Sequence, residues 1–496
     1  MAYYIPLNGR FLNKETMELD SPVKLPLPDS LLSDANNQSK DCAVLHGFVF
    51  RTIENPTSSD IVMCGPHALL PAPIPRKYFH QLAQVQIYIN ELLYLISKDY
   101  DFIRETLKSA TVSDNFTGRL LKILETTLKE DIAGTGVLAL LRSDYFLDGS
   151  TDEMLPKMVE INTIASGAGA IQSNLTPVHK YTTQLLGGRC DVEKSLPTNN
   201  NIEKYSNAFV KAWEIYGTPK AAIIFVVSRT ERNIFDQRLI EFGIKKINWD
   251  IPIKRVTLLD IGSKGKLSDD RRLIVDSTEV AIVYYRDGYI PSHFTSEMEW
   301  NAVFMAARSR AICCPNVSLH LAGTKKVQQV IAKPGMVERF ISNPDKVKAI
   351  RATFTGQYSL DIGAEGDEAI AMAINSPENF VMKPNKEGGG NNIYGVDIRT
   401  KLLEIQNTSE RNAYILMDRI FPVTVPGYKV VSSPELPKLQ NMVSEFGMFG
   451  ALVSDGNDVV LNEFAGHLVR TKPNGVDEGG IMVGVSISDT PFLVEF

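Results

Sequence analysis

A chain of 496 residues is longer than one hydrophobic core usually supports, so two or three domains are expected. With 44% hydrophobic, 22% charged and 8% aromatic residues the composition is that of a folded globular protein, which argues against disorder. A formal charge of -6 gives no overall attraction to nucleic acid or anionic lipid, so any phosphate site must be local.

The opening MAYYIPLNGR has neither a basic n-region nor an apolar h-region, and a cytoplasmic setting is expected. Secretion is the alternative if a signal peptide has been removed. The longest apolar run, Ala221 to Val227, is far short of the roughly 20 residues that cross a bilayer, so no membrane role is expected. Cys42, Cys64, Cys190, Cys313 and Cys314 are odd in number and form no CxxC, which points to free thiols. The seven histidines form no HExxH.

In chain order, Tyr78 to Lys129 has helical spacing, in LAQVQIYINELLYLI and again in GRLLKILETTL. RSDYFLDGS, from Arg142, reads as a turn region. MVEINT predicts a strand on which Glu160 and Asn162, two apart, share a face. Near Lys220 the texture changes to a small α/β unit: strand AAIIFVVS, helix NIFDQRLIEFGI, strand RVTLL, then paired strands in RLIVDSTEVAIVYYRDGY. A helix is expected to begin in PNVSLHLAGTKKVQQVI. The last third reads as α+β, with strands NFVMKP, NIYGVDI, AYILMDRI and DVVLNEFAGHLVRTK, and helix TKLLEIQN. Phe421 to Gln440 holds four prolines and reads as a loop.

KPNKEGGGNNIYG, Lys383 to Gly395, sets three glycines between two strands. Glycines let backbone N–H groups approach an anion, and a hairpin turn is the plainer alternative. A Walker loop would need a lysine after the glycines and a following helix, and GAG in IASGAGAIQ lacks the third glycine of a dinucleotide fingerprint. What remains is a lid of backbone donors over a triphosphate, with Lys383 beside it and Glu387 available to Mg²⁺. A second carboxylate source is then needed, and Glu160 with Asn162 makes a plausible magnesium shelf.

Ten blocks, LLRSDYFLD, EINTIAS, ERNIFDQR, VYYRDGYIP, LAGTKKVQQ, RATFTGQYSLDIG, KPNKEGGGNNIYG, YILMDRI, SEFGMFG and HLVRTK, together resemble the eukaryotic-type glutathione synthetase family of ATP-grasp ligases, in that family's order. The resemblance covers all but about the first 80 residues. It implies an α/β and α+β multidomain ATP-grasp fold with an inserted α/β substrate-binding domain and a glycine-rich lid. The expected division is 1–219 for the helical scaffold and part of the body, 220–322 for the insert, and 323–496 for the ATP-grasp domain, with the lid at about 355–430. It implies ligation of γ-glutamylcysteine to glycine through an acyl phosphate, ATP and Mg²⁺ as requirements, and a homodimer.

Matched by position, the resemblance puts Glu160, Asn162 and Glu387 on the magnesium ligands. It puts Lys325, Lys383, Gly388, Gly389, Gly390, Asn392, Tyr394 and Lys472 around ATP, Met417, Asp418, Arg419 and Ile420 on adenine, and Glu445 on the ribose. Arg142 and Arg470 fall on the arginines that steady substrate and developing negative charge. Asn233, Gln237, Arg286, Asp287, Gly288 and Tyr289 fall on γ-glutamyl positions.

Two stretches depart from the family. After EINTI it runs roughly SASFGG, whereas this chain has Ala165, Ser166, Gly167, Ala168, Gly169 and Ala170. After VDEGG it has small residues, where this chain has Ile481 and Met482. Both touch substrate and neither touches ATP, so a ligase of changed dipeptide or acceptor specificity is the alternative, with a non-enzymatic nucleotide-binding protein a further one.

Overall fold

A computed structural model describes residues 19, 21–130, 136–151, 153–188, 192–385, 390–477, 479–481 and 485–495. Glu387, Gly388, Gly389 and Met482, named above, lie outside the described residues, as does Cys190. The other four cysteines are free thiols.

Seven strands form the central sheet, in the order Thr424–Val430, His67–Ala68, Ile487–Asp489, Val459–Pro473, Leu439–Ser454, Val137–Leu147 and Pro156–Asn162. Leu439–Ser454 also pairs with Thr424–Val430, which curls that end of the sheet towards closure. Helix Arg76–Lys98 packs on this sheet through Leu82, Val85, Ile89, Leu92, Leu93 and Ile96, a three- and four-residue spacing that makes one apolar stripe. Each such side chain, fully buried, contributes about 1.5–3 kcal/mol. Helix Asn201–Tyr216 packs against the same long strands.

A second sheet of six strands has four parallel ones, Ile253–Val256, Ala222–Val226, Thr278–Tyr285 and Ile312–Cys314, with Leu273–Val275 and Gly265–Leu267 added antiparallel. Ala222–Val226 is buried at every position because parallel strands are covered on both faces. A third sheet, Gln357–Ser359, Tyr414–Asp418, Phe380–Pro384 and Ile393–Tyr394, is antiparallel and carries its own core of Ile370, Met382, Leu402 and Leu416. Among the described residues no helix is long and apolar enough to cross a membrane.

The structure corrects four sequence expectations. RVTLL is a strand only to Val256, because Thr257 and Asp260 form a reciprocal cap that starts helix Leu258–Lys264. NIYGVDI is a strand only at Ile393–Tyr394; Gly395, at φ 54°, turns the chain into helix Val396–Ile405. RSDYFL belongs to the strand Val137–Leu147, not to a turn. The proline-rich stretch contains strand Thr424–Val430, where Pro426 pairs on one side only, with Asn441, so its missing N–H breaks no ladder.

Candidate functional site

Alternation along four neighbouring strands builds a charged face. Arg142 lies opposite Asn162, Asp144 opposite Glu160 and Gly447, and Glu445 opposite Arg470, so alternate residues from distant segments meet. A Cβ on Gly447 would come 2.8 Å from Asp144 Oδ1, so the glycine makes room for that carboxylate.

Asp144, fully buried, organises this face. It takes a fork from Arg142, with Nε to Oδ1 at 2.7 Å and Nη2 to Oδ2 at 2.8 Å. Arg470 Nη2 donates to Asp144 Oδ2 at 3.0 Å and lies 2.9 Å from Glu445 Oε2, while Asn162 Nδ2 donates to Asp144 Oδ2 at 3.1 Å. Arg470 Nε is buried with no partner among the described residues. Burial works against the Arg470 charge, but Glu445, Asp144 and Glu160 outweigh it and raise its pKa. Burial pushes the Glu445 carboxyl up, with Asp144 and Glu160 adding to it and Arg470 opposing.

Lys325, at the start of helix Lys325–Ile331, places Nζ 2.9 Å from Glu160 Oε2. Lys383, on strand Phe380–Pro384, donates to the carbonyl of Val159 at 2.8 Å. Burial alone would raise the Glu160 carboxyl, but Lys325 and Lys383 overcome it and hold the group well below the usual carboxylate range. Burial, with Lys325 adding to it, pulls the Lys383 ammonium down to about 8 against the attraction of Glu160.

Beside this face opens a cleft of about 860 Å³ between the central and third sheets. Eight of the residues singled out in the sequence line it: Lys383, Asn392, Tyr394, Met417, Asp418, Arg419, Ile420 and Lys472. Val381, Val443 and Phe146 give it apolar walls. At its rim Arg419 pairs with Asp477 at 2.9 Å, and Lys472 Nζ donates to the Asp477 carbonyl at 2.8 Å. Gly479, at the loop that carries Ile481, packs against Lys472, where a Cβ would lie 3.2 Å from Cδ. Lys325 and Glu445 do not line the cleft and belong to the charged face; Gly390, at φ 85°, closes the described part of the glycine run.

On the other side of Arg142 lies a second shelf. Arg142 Nη1 donates to the carbonyl of Gly167 at 3.4 Å, and a Cβ on Gly167 would sit 2.4 Å from Arg286 Nη2, so the two arginines flank this glycine. Ala165 and Ala168 are left-handed, at φ 51° and 72°, which costs about 1–2 kcal/mol each without glycine. Asp236 offsets that cost: its carboxylate accepts from Ala168 N and Ala170 N at 3.0 Å, Ile171 N at 3.2 Å and Arg286 Nη1 at 2.9 Å. Ser166 turns its hydroxyl to the carbonyl of Asn162 at 3.2 Å.

Gln237 is fully buried, donating to Glu231 Oε2 at 2.8 Å and accepting from Arg255 Nη2 at 2.6 Å. Glu231 Oε1 also accepts from Asn233 N at 2.8 Å, and Asn233 Oδ1 is buried without a partner among the described residues. Asp287 lies 2.6 Å from His293, whose ring meets Tyr289 edge-on, and Gly288 at φ 89° turns between them. Sequence reasoning missed Asp144, Asp236, Glu231 and Arg255. Asp144 lies in a segment that reads as a turn from sequence, and like the others it acts through tertiary partners.

The cleft ends on Lys383 and Lys472 and adjoins a shelf flanked by Arg142 and Arg286, an arrangement of cations suited to anionic ligands. Residues 29–493 match the family model for the eukaryotic glutathione synthase ATP-binding domain. The chain is 40% identical to the glutathione synthetase of Xenopus laevis over 457 residues, covering 92% of this chain and 95% of that protein. It is 40% identical to that of Homo sapiens over 466 residues, covering 93% and 97%. A chloroplastic glutathione synthetase of Solanum lycopersicum is 39% identical over 439 residues, covering 87% and 78%. Among solved structures, a glutathione synthetase-like effector of Globodera pallida in its apo form has the same fold, with a TM-score of 0.75, 24% identity, and 95% and 98% coverage. The chain belongs to the eukaryotic glutathione synthase family, and it is an enzyme of that ligase class.

Proposed function

We propose that the protein joins the cysteinyl carboxylate of γ-glutamylcysteine to the amine of glycine, converting ATP to ADP and phosphate. The observation that carries this reading is the placing of five cations, Arg142, Arg470, Lys325, Lys383 and Lys472, where the cleft meets the shelf flanked by Arg286. With three carboxylates, Asp144, Glu160 and Glu445, among them, the face keeps a positive excess suited to phosphate.

In the first step a carboxylate oxygen of the dipeptide attacks the γ-phosphorus of ATP. The bond to the bridging oxygen breaks with its electron pair going to ADP, leaving an acyl phosphate. The neutral amine of glycine then attacks the carbonyl carbon, phosphate departs with the C–O electron pair, and the new amide loses a proton to solvent. Such transfers depend on positioning and charge neutralisation rather than on a covalent protein intermediate. Asp144 fixes both arginines through its two carboxylate oxygens. Lys383 and Lys472 meet the phosphate end of the cleft, and Arg419 with Asp477 narrows its rim.

The donors present fit Mg²⁺. Glu160 is held deprotonated, and Asn162 Nδ2 donates towards Asp144 and Glu160, leaving its amide oxygen as a second hard ligand. Among the described residues no group of three His, Cys, Asp or Glu could hold a metal, in keeping with an ion that keeps water and phosphate oxygens as its other ligands. Bound there, Mg²⁺ would neutralise the β- and γ-phosphates during transfer.

The same reading assigns an ATP-grasp fold, the second sheet as the inserted substrate-binding domain at 220–322, and the third sheet as the lid at about 355–430 within 323–496. It also assigns a homodimer and a cytosolic setting. The test is ADP release with ATP, Mg²⁺ and γ-glutamylcysteine, comparing glycine, β-alanine, serine and no acceptor. Stimulation by glycine is expected, and ADP release indifferent to glycine would overturn the reading.

A further inference from the structure

Behind the shelf, and apart from the charged face, lies a smaller cavity of about 330 Å³. Leu120 and Leu124 of helix Asn115–Lys129, Val303 and Ala306 of helix Glu297–Ala307, and Cys313 give it apolar walls. Ser97, Thr127, Ser309, Asn316 and Ser318 also line it, with side chains already bonded within the protein. Among the described residues Lys98 is the one charged residue lining it, and its ammonium already donates to the carbonyl of Gly456 at 3.1 Å. At roughly 30 Å³ for each water-sized atom, the space holds about ten non-hydrogen atoms.

His320 faces this cavity from helix Val317–Ala322 and is 7% exposed. Its ring meets Phe116 edge-on at 6.2 Å and makes no hydrogen bond among the described residues. Burial pushes the imidazole down to about 4, so at neutral pH it is uncharged. It therefore presents one N–H and one lone pair. A buried polar group without a partner is unfavourable, and apolar cavities with a few convergent polar groups are where small molecules bind.

We propose that this cavity binds a small uncharged ligand with an apolar, ring-sized body and one hydroxyl or N–H group that pairs with the His320 imidazole. The lack of charge follows from the described walls, the size from the volume, and the one polar group from His320, since the Ser, Thr and Asn side chains of the lining are already bonded within the protein. The site has a path to the substrate shelf. Ile164 lines the cavity immediately before Ala165, and Tyr285 and Gly288 line it on either side of Arg286 and Asp287. An occupant thus bears on the segments that carry the dipeptide shelf, while the nucleotide cleft lies elsewhere. This coupling rests on the ligase reading; the binding does not.

The experiment is calorimetric titration of the full chain with phenol and, separately, with benzene, which has the same ring without the hydroxyl. Phenol is expected to bind about tenfold more tightly than benzene, the worth of one hydrogen bond to a buried group. In His320→Leu the preference is expected to vanish while benzene still binds, and in Ala306→Leu both are expected to weaken. Equal binding of phenol and benzene by the parent protein, a preference that survives His320→Leu, or no binding of either up to about 10 mM would each overturn the proposal, the last meaning that the cavity holds water alone. With binding established, saturating phenol is expected to change KM for γ-glutamylcysteine about twofold or more and to leave KM for ATP unchanged. An inactive enzyme that still prefers phenol would count against the ligase reading and not against the site.

Discussion

Asp236 and Arg286 form a buried ion pair at 2.9 Å, and the same carboxylate holds three backbone N–H groups of the loop Ala168 to Ile171. One side chain of the second sheet's first helix thereby fixes both an arginine of the shelf and the glycine-rich loop facing it. Removing it leaves Arg286, 7% exposed in its side chain, without its paired carboxylate and with only the weaker attraction of Glu231. Asp236→Ala is expected to cost about 3–5 kcal/mol in urea unfolding. It should also raise KM for the dipeptide more than KM for ATP. A variant whose two KM values rise together would show that Asp236 acts on the whole fold rather than on the shelf.

The Lys383 ammonium, drawn down to about 8, gives nucleotide binding a pH dependence. Below pH 8 the lysine carries its charge and attracts phosphate; above it the free protein must first take up a proton. Binding of a non-hydrolysable ATP analogue is expected to weaken by about 25-fold between pH 7.5 and 9.5. Lys383→Arg keeps the charge throughout and is expected to flatten the profile. A profile already flat in the parent protein would rule out titration of this lysine.

Gly447 faces Asp144 across the ladder, and a Cβ there would also meet Leu468 at 2.9 Å and Arg142 Cδ at 3.2 Å. Gly447→Ala is therefore expected to displace the carboxylate that holds Arg142 and Arg470. The overpacking should cost about 1–3 kcal/mol and kcat should fall. Binding of the ATP analogue is expected to hold, because the cleft is lined by other residues. Unchanged Tm and kcat would mean that Asp144 has room to move.

What could be read from the sequence followed the range of the interactions. Period-two alternation is local, so Glu160 and Asn162 were recognised as one face of a strand before any fold was known. The residues assigned to ATP came from the resemblance, and the geometry brings eight of them together around one cleft. Asp144 is different: its partners Asn162 and Arg470 stand 18 and 326 residues away, and no local pattern announces that they meet. Asp236 lay inside a recognised block but sits in the first turn of a helix, where an acidic residue ordinarily reads as a dipole partner. The strand boundaries failed where one residue decides, at the Thr257 cap and the Gly395 turn.

Directly behind the Arg470 strand, Asp489 is buried, and burial pushes its carboxyl up to about 8. It accepts from Thr471 Oγ1 at 2.8 Å, Thr490 N at 2.8 Å and Ala72 N at 3.1 Å, which do not compensate for lost hydration. At neutral pH the native state therefore keeps a proton that the unfolded chain, with an ordinary aspartate near 4, gives up. Since stability rises with pH only where the unfolded state binds more protons, this group makes stability fall as pH rises from about 4 to about 8. The slope is about 1.4 kcal/mol per pH unit. Asp489→Asn presents a neutral group of the same shape that can accept from Thr490 and Ala72 and donate to Thr471. It is expected to match the parent near pH 4 and to exceed it increasingly in urea unfolding up to pH 8. Parallel stability curves for the two proteins across that range would show that Asp489 is ionised in the native state.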